Sequence, residues 1–374
     1  MKIGIVCYPT YGGSGIVATE LGLNLAKKGH EIHFISYALP ARLNKFQPNV
    51  FFHDVEMPHY PLFEFHLYTL ALVGKIIDVA KYEKIDILHV HYAIPHAISG
   101  YLASQILEKE HKVKLVTTLH GTDITLIGLE PSFHPIVKFS LEHSDKITAV
   151  SGYLKEKTIQ HFDTGKEIEV IPNFVDTKVY KRIDYPELRK NIAPDKEKIL
   201  IHVSNFRKVK RVCDVVKIFA EVIAYVPSKL LLVGDGPESS AAEKLAKELG
   251  ISQHVNFLGK QTSLIELLSV SDIFLLPSQS ESFGLSALEA MSCGVPVIGS
   301  NIGGIPEVVE HNESGYVAEL GDINRMAKYI LELLNKPKKW ESFSQAARKR
   351  AVELFNIDLI VPKYENLYRE LLEP

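Results

Sequence analysis

The sequence predicts an α/β protein made of two doubly wound, Rossmann-like domains, each built on a parallel sheet. Short apolar runs alternate with longer amphipathic stretches from end to end, and this pattern breaks once, near Pro172. Strands separated by helices of this length form βαβ units and hence parallel sheets. The 374 residues are too many for one ordinary domain and suit two.

The first domain is predicted over residues 1–170. Its strands are expected where apolar and β-branched residues cluster, at 3–7, 31–36, 85–90, 114–118 and 146–150. Between the first two strands, apolar residues at near-helical spacing predict a helix over 14–28 that stops at Gly29.

The second domain is predicted over 198–356, after an interdomain connection at 171–197 that holds three prolines and many charges. Its strands are expected at 199–203, 229–233, 255–258, 272–276 and 295–298. The amphipathic stretch 357–374 is expected to form a helix that packs back on the first domain. Because open α/β sheets bind ligands beyond the carboxyl ends of their strands, we expect the two domains to face a cleft where two ligands meet.

Composition and charge exclude several classes of protein. The net charge of -3 is not that of a nucleic-acid-binding protein. The three cysteines are far apart and form no CxxC pair, which argues against a disulfide framework or a thiolate metal site. The first apolar run predicts a strand and not a signal peptide, and no run approaches the roughly 20 apolar residues of a membrane span. We therefore expect a cytoplasmic protein without a membrane partner, while a homo-oligomer stays open.

A glycine-rich turn follows the first predicted strand and opens the first helix. Residues 13–18, GSGIVA, match the dinucleotide-binding pattern G-x-G-x-x-A. The second strand, however, ends without the carboxylate that would hold a ribose, which argues against NAD. The turn can still bring backbone close to an anion, so Gly13 is a candidate donor ligand and Ser14 a candidate acceptor ligand. A tight turn without any ligand is the alternative.

A basic loop, Ser204-Asn205-Phe206-Arg207-Lys208-Val209-Lys210-Arg211, follows the first strand of the second domain. Four cations in five residues at the carboxyl end of a strand suit a diphosphate. We expect Arg207 and Lys210 to bind it, with Ser204 beside them, and Lys208 to face solvent. A solvated basic turn is the alternative.

Two glutamates in an E-x7-E spacing give the strongest motif. Glu281 falls in the loop after the strand at 272–276, and Glu289 falls in the helix that follows. The amides of Phe283, Gly284 and Leu285 then lie at a helix N-terminus, where an oxygen anion is favoured. A carboxylate accepts at two oxygens, so Glu281 suits sugar hydroxyls and Glu289 suits ribose hydroxyls.

Histidines follow two strands of the first domain. His89 and His91 form an H-x-H pair, but no cysteine or carboxylate cluster completes a metal site, so we expect residues that line the cleft or pack inside, and no metal. Tyr92 comes next in the chain. Thr118 and His120 end the neighbouring strand, where His120 either donates to a sugar hydroxyl or is structural. The sequence contains neither a G-x-S-x-G nucleophile elbow nor a P-loop.

The chain resembles the retaining glycosyltransferase family 4, which has the GT-B fold. The likeness is carried by IPNFVDTKVY at 171–180, VGDGP at 233–237, FLGK at 257–260 and the segment 281–309. It implies that Glu281 contacts the donor sugar, Glu289 contacts the ribose, and Gly259 and Lys260 border the nucleotide. Phe174 stands where the family has glycine, and Ser204-Asn205 stands where it has Gly-Arg, so the resemblance assigns the displaced arginine's role to Arg207 with Lys210.

Two N-terminal segments, CYPTYGGSGIVATELG and HVHYAIPHA, are similar to family members that join N-acetylglucosamine to L-malate. This resemblance implies UDP-GlcNAc as donor, L-malate as acceptor, retention of the α anomer and no metal or other cofactor. Glu281 and His120 are then the candidate catalytic residues, and Ser14, Tyr92 and Thr118 the candidate acceptor ligands. Arg42 and Lys45 are candidates to pair with the malate carboxylates.

Three other functions stay open at this point. A UDP-GlcNAc 2-epimerase has the same architecture and needs no acceptor. A non-catalytic sensor of nucleotide sugars would bind the donor without turnover. A family 4 transferase with another acceptor, such as an inositol phosphate or a lipid, is the third, although the first domain lacks a basic cluster for a phosphorylated acceptor.

Overall fold

A computed structural model describes residues 1–44, 46–57 and 67–373 of the chain. Within these ranges the strands are β1 (Lys2–Val6), β2 (Glu31–Ser36), β3 (Val50–Asp54), β4 (Ile87–His91), β5 (Lys114–Leu119), β6 (Lys146–Ala149), β7 (Ile168–Val170), β8 (Lys198–Val203), β9 (Ser228–Val233), β10 (Val255–Gly259), β11 (Ile273–Leu276), β12 (Val297–Ser300) and β13 (Gly315–Ala318).

The helices alternate with these strands. They are α1 (Gly13–Lys27), α2 (Tyr68–Glu83), α3 (Ile98–Leu107), α4 (Thr122–Thr125), α5 (His134–Glu142), α6 (Gly152–Phe162), α7 (Pro186–Ile192), α8 (Val212–Ile223), α9 (Ser239–Glu248), α10 (Ile265–Val270), α11 (Leu285–Ser292), α12 (Ile305–Val308), α13 (Ile323–Asn335), α14 (Pro337–Leu354) and α15 (Ile357–Leu372). Among the helices so described, none is both long enough and apolar enough to cross a membrane.

The strands form two parallel sheets, which confirms the predicted fold class. The first sheet has the order β3-β2-β1-β4-β5-β6-β7, and the second has the order β10-β9-β8-β11-β12-β13. In each sheet the order reverses beside the first strand of its series, β1 or β8. Doubly wound sheets bind ligands at this reversal, beyond the carboxyl ends of the strands.

Strands β3, β7 and β13 were not predicted from the sequence. β3 lies at a sheet edge with its residues exposed or only partly buried, and its apolar run is short, because His53 and Asp54 follow three apolar residues. β7 has only 3 residues, and β13 has 4 and begins with a glycine. Apolar patterns this short cannot be distinguished from those of the flanking loops.

Contacts divide the chain into two units. The first unit comprises Met1–Asn173 and the chain from Leu359 onward, and the second comprises Phe174–Asp358. In the first unit, Tyr364 and Tyr368 of α15 are fully buried, and the Tyr368 hydroxyl lies 2.6 Å from Nδ1 of His89 on β4. Glu365 of the same helix pairs with Lys28 at 3.0 Å. Most of helix α15 thus belongs to the first unit, although it follows the second unit in the sequence.

The second unit is built around α8, whose inward face packs on β8, β9 and α13. Its core side chains on α8 are Val212, Val215, Val216, Ile218, Phe219 and Val222. Fully burying one aliphatic or aromatic side chain contributes about 1.5–3 kcal/mol, so this face fixes the helix on the sheet. The loop between β8 and α8, which carries the basic motif, is therefore anchored at both ends.

Arg348 on α14 holds the entry segment of the second unit to α11. Its guanidinium donates to the carbonyl oxygens of Tyr180, Ser292 and Thr177, each at 2.7 Å. The planar guanidinium can reach these groups at once because its donors form a fixed fork. Without it, each of these carbonyls would lose a charged donor in a partly buried position.

We expect Arg348→Ala to lower the free energy of unfolding of the second unit by about 3 kcal/mol, because several carbonyl groups lose one charged donor. The fluorescence of Trp340 measures this, since the chain holds 1 tryptophan and it lies in the second unit. Lys349→Ala, which changes an exposed neighbour on the same helix, is the control and should change stability by less than about 0.5 kcal/mol. Equal unfolding curves for the two variants would contradict this role of Arg348.

Candidate functional site

The loops that follow β8, β9 and β11 come together at the carboxyl edge of the second sheet. The amide of Ser204, just after β8, donates to the carbonyl of Val233 at the end of β9 at 3.1 Å. On the other side of β8, the amide of Gln279 donates to the carbonyl of Val209 at 2.7 Å. The basic loop 204–211 is therefore held between its two neighbours.

Two glycines allow the closest of these approaches. A Cβ added at Gly234 would lie 1.7 Å from the carbonyl oxygen of Ser204, and one at Gly236 would lie 2.1 Å from that of Asn205. Gly234 also has a φ of 125°, which disfavours any side chain. The VGDGP segment thus serves first as the support on which the basic loop rests.

Lys210 and Glu281 form an ion pair at this edge. Nζ of Lys210 lies 2.6 Å from Oε2 of Glu281, and the two side chains are 21% and 17% exposed. At that burial the pair is screened less than an exposed one. The sequence predicted separate partners for these residues, the diphosphate and the sugar, whereas the structure brings the two side chains together.

Arg207 and Lys208 lie on the outer side of the same loop. Both are exposed, as predicted for Lys208. Within the described parts of the chain, neither side chain has a hydrogen bond or an ion pair, so the Arg207 guanidinium has all its donors available. Arg211 instead forms an ion pair with Asp214 on α8, so its guanidinium is engaged within the protein.

Two further glycines fix the loop that carries Glu281. A Cβ at Gly303 would lie 2.0 Å from the carbonyl oxygen of Glu281, and one at Gly304 would lie 2.2 Å from that of Ser282. The amide of Gly304 donates to the Glu281 carbonyl at 2.9 Å. Sequence reasoning gave this pair no separate role, although two adjacent glycines directly after a buried strand are a signal of close backbone approach.

Helix α11 begins where the sequence predicted. Leu285 is its first residue, and Gly284 precedes it with a φ of 98°. Phe283 is buried against Phe355, with ring centroids 5.6 Å apart, so the turn before the helix is held in place. Glu289 lies one turn into the helix and is 4% exposed. The helix N-terminus and both glutamates thus belong to one strand–loop–helix unit.

The other predicted donor residues differ in their surroundings. The Ser204 hydroxyl lies 2.8 Å from Nε2 of His202 and accepts from the amide of Phe206 at 3.2 Å. It is engaged in shaping the loop, so the expectation that it contacts a donor directly is not supported. Gly259 and Lys260 end β10 and are exposed. Gly259 has a φ of 62°, which a glycine adopts at little cost.

A chain of hydrogen bonds runs through the carboxyl end of the first sheet. Nε2 of His89 lies 2.6 Å from the hydroxyl of Thr118, which lies 2.6 Å from that of Thr148. Thr118 is fully buried. The Thr118 hydroxyl is enclosed and hydrogen-bonded to His89. In this structure it therefore cannot make the predicted contact with an acceptor substrate.

Beside this chain, His120, Tyr92 and Ser14 are only partly buried, and the fully buried His91 contacts His120. Nδ1 of His91 lies 2.8 Å from Nε2 of His120, and Tyr92 donates from its hydroxyl to that of Ser14 at 2.9 Å. The Tyr92 backbone has a φ of 96°, a conformation that costs a residue other than glycine about 1–3 kcal/mol and is typical of functional sites. The structure thus brings together three of the predicted residues.

The glycine-rich turn is shaped by its own backbone. A Cβ at Gly15 would lie 2.4 Å from the carbonyl oxygen of Thr10, so this glycine is required by the turn itself. Gly13 is the first residue of α1 and is exposed. The G-x-G-x-x-A match therefore has a structural explanation that needs no dinucleotide.

Asp123 is a buried carboxylate that sequence reasoning left without a role. It accepts from the amide of Ala93 at 2.8 Å and from that of Gly121 at 3.0 Å. Burial raises the pKa of Asp123 to about 6. A carboxylate three residues after His120, in a turn that follows a strand, was the available signal. Asp123 ties the turns after β4 and β5 together and so supports Tyr92 and His120.

The remaining charged candidates of the first unit lie apart from this edge or have partners. Arg42 pairs with Glu20 at 3.4 Å, and Lys45 lies outside the described residues. In the described chain, the group of side chains close enough to share a metal ion is Glu31, His33 and Glu83, at the amino edge of the sheet. The Lys2 ammonium, 2.7 Å from Glu31, already neutralises part of it.

Two family models match the chain. The model described as Glycosyltransferase Family 4 matches residues 11–179, and the model described as Glycosyl transferases group 1 matches residues 184–350. One model thus falls mainly on the first unit and the other on the second.

Individual proteins match over most or all of the chain. N-acetyl-alpha-D-glucosaminyl L-malate synthase from Bacillus anthracis is 50% identical over 373 residues, which span 100% of this chain and 97% of that protein. A D-inositol 3-phosphate glycosyltransferase from Rhodococcus jostii is 26% identical over 91% of this chain and 80% of that protein.

Solved structures share the fold. HepE from Anabaena, in complex with UDP and glucose, has a TM-score of 0.84 at 22% identity and covers 98% of this chain and 99% of its own. A sucrose-phosphate synthase from Thermosynechococcus elongatus has a TM-score of 0.83 at 22% identity and covers 100% and 99%. This arrangement of two Rossmann-like domains is the GT-B fold.

We expect the free energy of unfolding to fall as the pH is lowered below about 6.5. Burial lowers the pKa of His89 and of His120 to about 3 and that of His96 to about 4. Unfolded histidines titrate near about 6.5, so the unfolded state binds more protons below that pH, and each such histidine costs about 1.4 kcal/mol per pH unit. Asp123 acts in the opposite direction, because its pKa is raised, but one carboxylate does not offset three histidines.

Urea unfolding followed by circular dichroism at several pH values from about 7 to about 5 measures this. His89→Gln should reduce the slope of stability against pH by about one proton. His143→Gln, at an exposed position of the same unit, should leave the slope unchanged. Stability that does not vary over this range would contradict the neutral buried histidines.

Proposed function

We propose a function from the premise that this chain belongs to glycosyltransferase family 4: it transfers N-acetylglucosamine from UDP-GlcNAc to the hydroxyl of L-malate. This reaction is the first step of bacillithiol biosynthesis. The single observation that carries the proposal is the 50% identity to the Bacillus anthracis malate synthase over essentially the whole of both chains.

In the second unit, the proposed donor site uses the basic loop and the E-x7-E unit. Lys210 and Arg207 would neutralise the diphosphate together with the amides at the start of α11, as anions are favoured at a helix N-terminus. Glu281 would accept hydroxyls of the sugar and Glu289 those of the ribose. The 2.6 Å contact between Lys210 and Glu281 supports this arrangement, because the proposed phosphate-binding cation and the carboxylate proposed to accept from sugar hydroxyls lie side by side at the sheet edge.

In the reaction, the malate hydroxyl oxygen forms a bond to the anomeric carbon while the bond from that carbon to the β-phosphate oxygen breaks. The proton of the hydroxyl passes to an oxygen of the leaving diphosphate. Both events occur on one face of the sugar, so the α anomer is retained. The protein contributes orientation and neutralises the charge that builds on the leaving group, and no metal is required.

The first unit supplies the candidates for the acceptor. The Tyr92 hydroxyl donates to Ser14 and its ring contacts that of His120, so these groups lie together and suit an acceptor that carries a hydroxyl and carboxylates. A UDP-GlcNAc 2-epimerase is the alternative with the same donor. It would act on UDP-GlcNAc alone.

With UDP-GlcNAc and L-malate together, we expect the purified chain to release UDP and form N-acetylglucosaminyl malate in equal amounts. UDP-GlcNAc alone should give no epimer, and turnover should survive EDTA because the basic loop replaces a metal. Mass spectrometry and coupled UDP detection measure this. An epimer formed without malate would assign the alternative, and turnover that needs added Mg²⁺ or Mn²⁺ would refute the metal-free mechanism.

We also expect Lys210→Ala to lower kcat/KM for UDP-GlcNAc by about tenfold or more, which corresponds to about 1.4 kcal/mol or more. The reason is that negative charge builds on the β-phosphate as the glycosidic bond breaks. Arg207→Ala should have a smaller effect in the same direction. Lys208→Ala is the matched control in the same loop, and it should stay within about twofold because an exposed charge contributes little.

Calorimetry with UDP isolates the phosphate contact of Lys210. UDP carries no sugar, so its affinity includes no contribution from contacts between the protein and the sugar. Equal small losses in all three variants would mean that this loop is a solvated turn and that the phosphates are bound elsewhere.

A further inference from the structure

His91 and His120 share a hydrogen bond at the carboxyl edge of the first sheet. Nδ1 of His91 lies 2.8 Å from Nε2 of His120, and the rings stack with centroids 5.1 Å apart. Burial lowers the pKa of His120 to about 3 and that of His91 well below its ordinary value, so both rings are neutral at neutral pH. One nitrogen of the pair therefore donates and the other accepts.

The surroundings of His91 decide which nitrogen donates. Its second ring nitrogen, Nε2, is buried and has no hydrogen-bond partner among the described residues. If the proton were on this nitrogen, a buried N–H would have no acceptor, which is energetically unfavourable. Unpaired buried N–H groups are rarer in proteins than unpaired acceptors. The proton of His91 therefore lies on Nδ1 and points at His120.

His91 cannot easily turn to reverse this arrangement. It ends β4 and is paired in register with Thr118 of β5. Its ring stacks on that of His89, with centroids 4.5 Å apart, and its carbonyl lies 2.5 Å from Nδ1 of His96. Strand pairing fixes the backbone of His91, and the rings of His89 and His120 pack against its ring. The His91 ring therefore keeps its orientation when a ligand binds.

We propose that His91 is a positioning residue that fixes His120 in the tautomer with its proton on Nδ1, so that His120 presents a neutral N–H donor to an oxygen of a bound substrate. The inference rests on the proposed glycosyl transfer for the identity of that oxygen, which is a sugar hydroxyl or a malate oxygen. His120 is half-buried, and its Nδ1 has no hydrogen bond within the described chain. A donor nitrogen cannot take the proton of the malate hydroxyl, so His120 orients substrate and is not the base.

Nitrogen-15 spectra of histidine side chains test the tautomer directly. The full chain is labelled at histidine and measured without substrate, and the signals of His120 are identified by their loss in His120→Asn. We expect a neutral ring with the proton on Nδ1 near pH 7. A proton on Nε2, or a doubly protonated ring at that pH, would overturn the inference whatever the enzyme activity.

Two substitutions of His91 test the coupling. In His91→Asn the side-chain amide can still donate to Nε2 of His120, whereas the carboxylate of His91→Asp can only accept there. We expect His91→Asp to move the His120 proton to Nε2 and to lower kcat/KM by about tenfold or more, the effect of losing one hydrogen bond of about 1.4 kcal/mol. His91→Asn should retain more activity than His91→Asp. His143→Asn, at an exposed position, is the control.

If the role of His91 were purely structural, kcat/KM would fall equally in both His91 variants and the His120 proton would not move. That result would overturn the proposal. A rise in KM for malate would place the accepting oxygen on the acceptor, and a rise in KM for UDP-GlcNAc would place it on the sugar. If the wild-type chain shows the Nδ1 proton but transfers no sugar to malate, the tautomer assignment stands and the proposed function fails.

Discussion

Close contact between glycines and carbonyl groups determines the edge of the second sheet. A Cβ at Gly234, Gly236, Gly303 or Gly304 would lie between 1.7 and 2.2 Å from a carbonyl oxygen of a neighbouring loop. Because nothing larger fits, the loops after β8 and β11 rest directly on backbone. This contact lets a lysine on one loop reach a glutamate on the other at 2.6 Å. The charge pair is thus a consequence of backbone packing.

The two sheet edges use different electrostatics. The first relies on neutral groups, because burial keeps histidines such as His89 and His120 uncharged. The second carries cations and carboxylates that are exposed or only partly buried, except for Glu289. Neutral donors suit hydroxyls, whereas a diphosphate needs formal positive charge. The cations of the second edge thus suit a diphosphate, whereas the first edge offers hydrogen bonds from uncharged imidazole and hydroxyl groups.

The repeated alternation of apolar and amphipathic stretches was enough to predict both parallel sheets, and the E-x7-E spacing placed Glu281 in a loop and Glu289 on a helix. Edge strands such as β3 escaped prediction because they are short and only partly buried, so their apolar runs are brief. Within the site, the sequence did not predict that Lys210 pairs with Glu281 or that Thr118 is enclosed. Both depend on which loops meet and on side-chain burial, which spacing along one chain does not encode. The role of Asp123 was missed for the same reason.

Helix α15 has a consequence for how the chain is made. It contributes Tyr364 and Tyr368 to the interior of the first unit, yet almost the entire second unit precedes it in the sequence. Chains emerge from the ribosome N-terminal end first, and domains tend to fold as they appear. The first unit, however, lacks Tyr368, the partner of Nδ1 of His89, until helix α15 has emerged. The second unit is then free to fold during synthesis, and the first reaches its final packing only after α15 has left the ribosome.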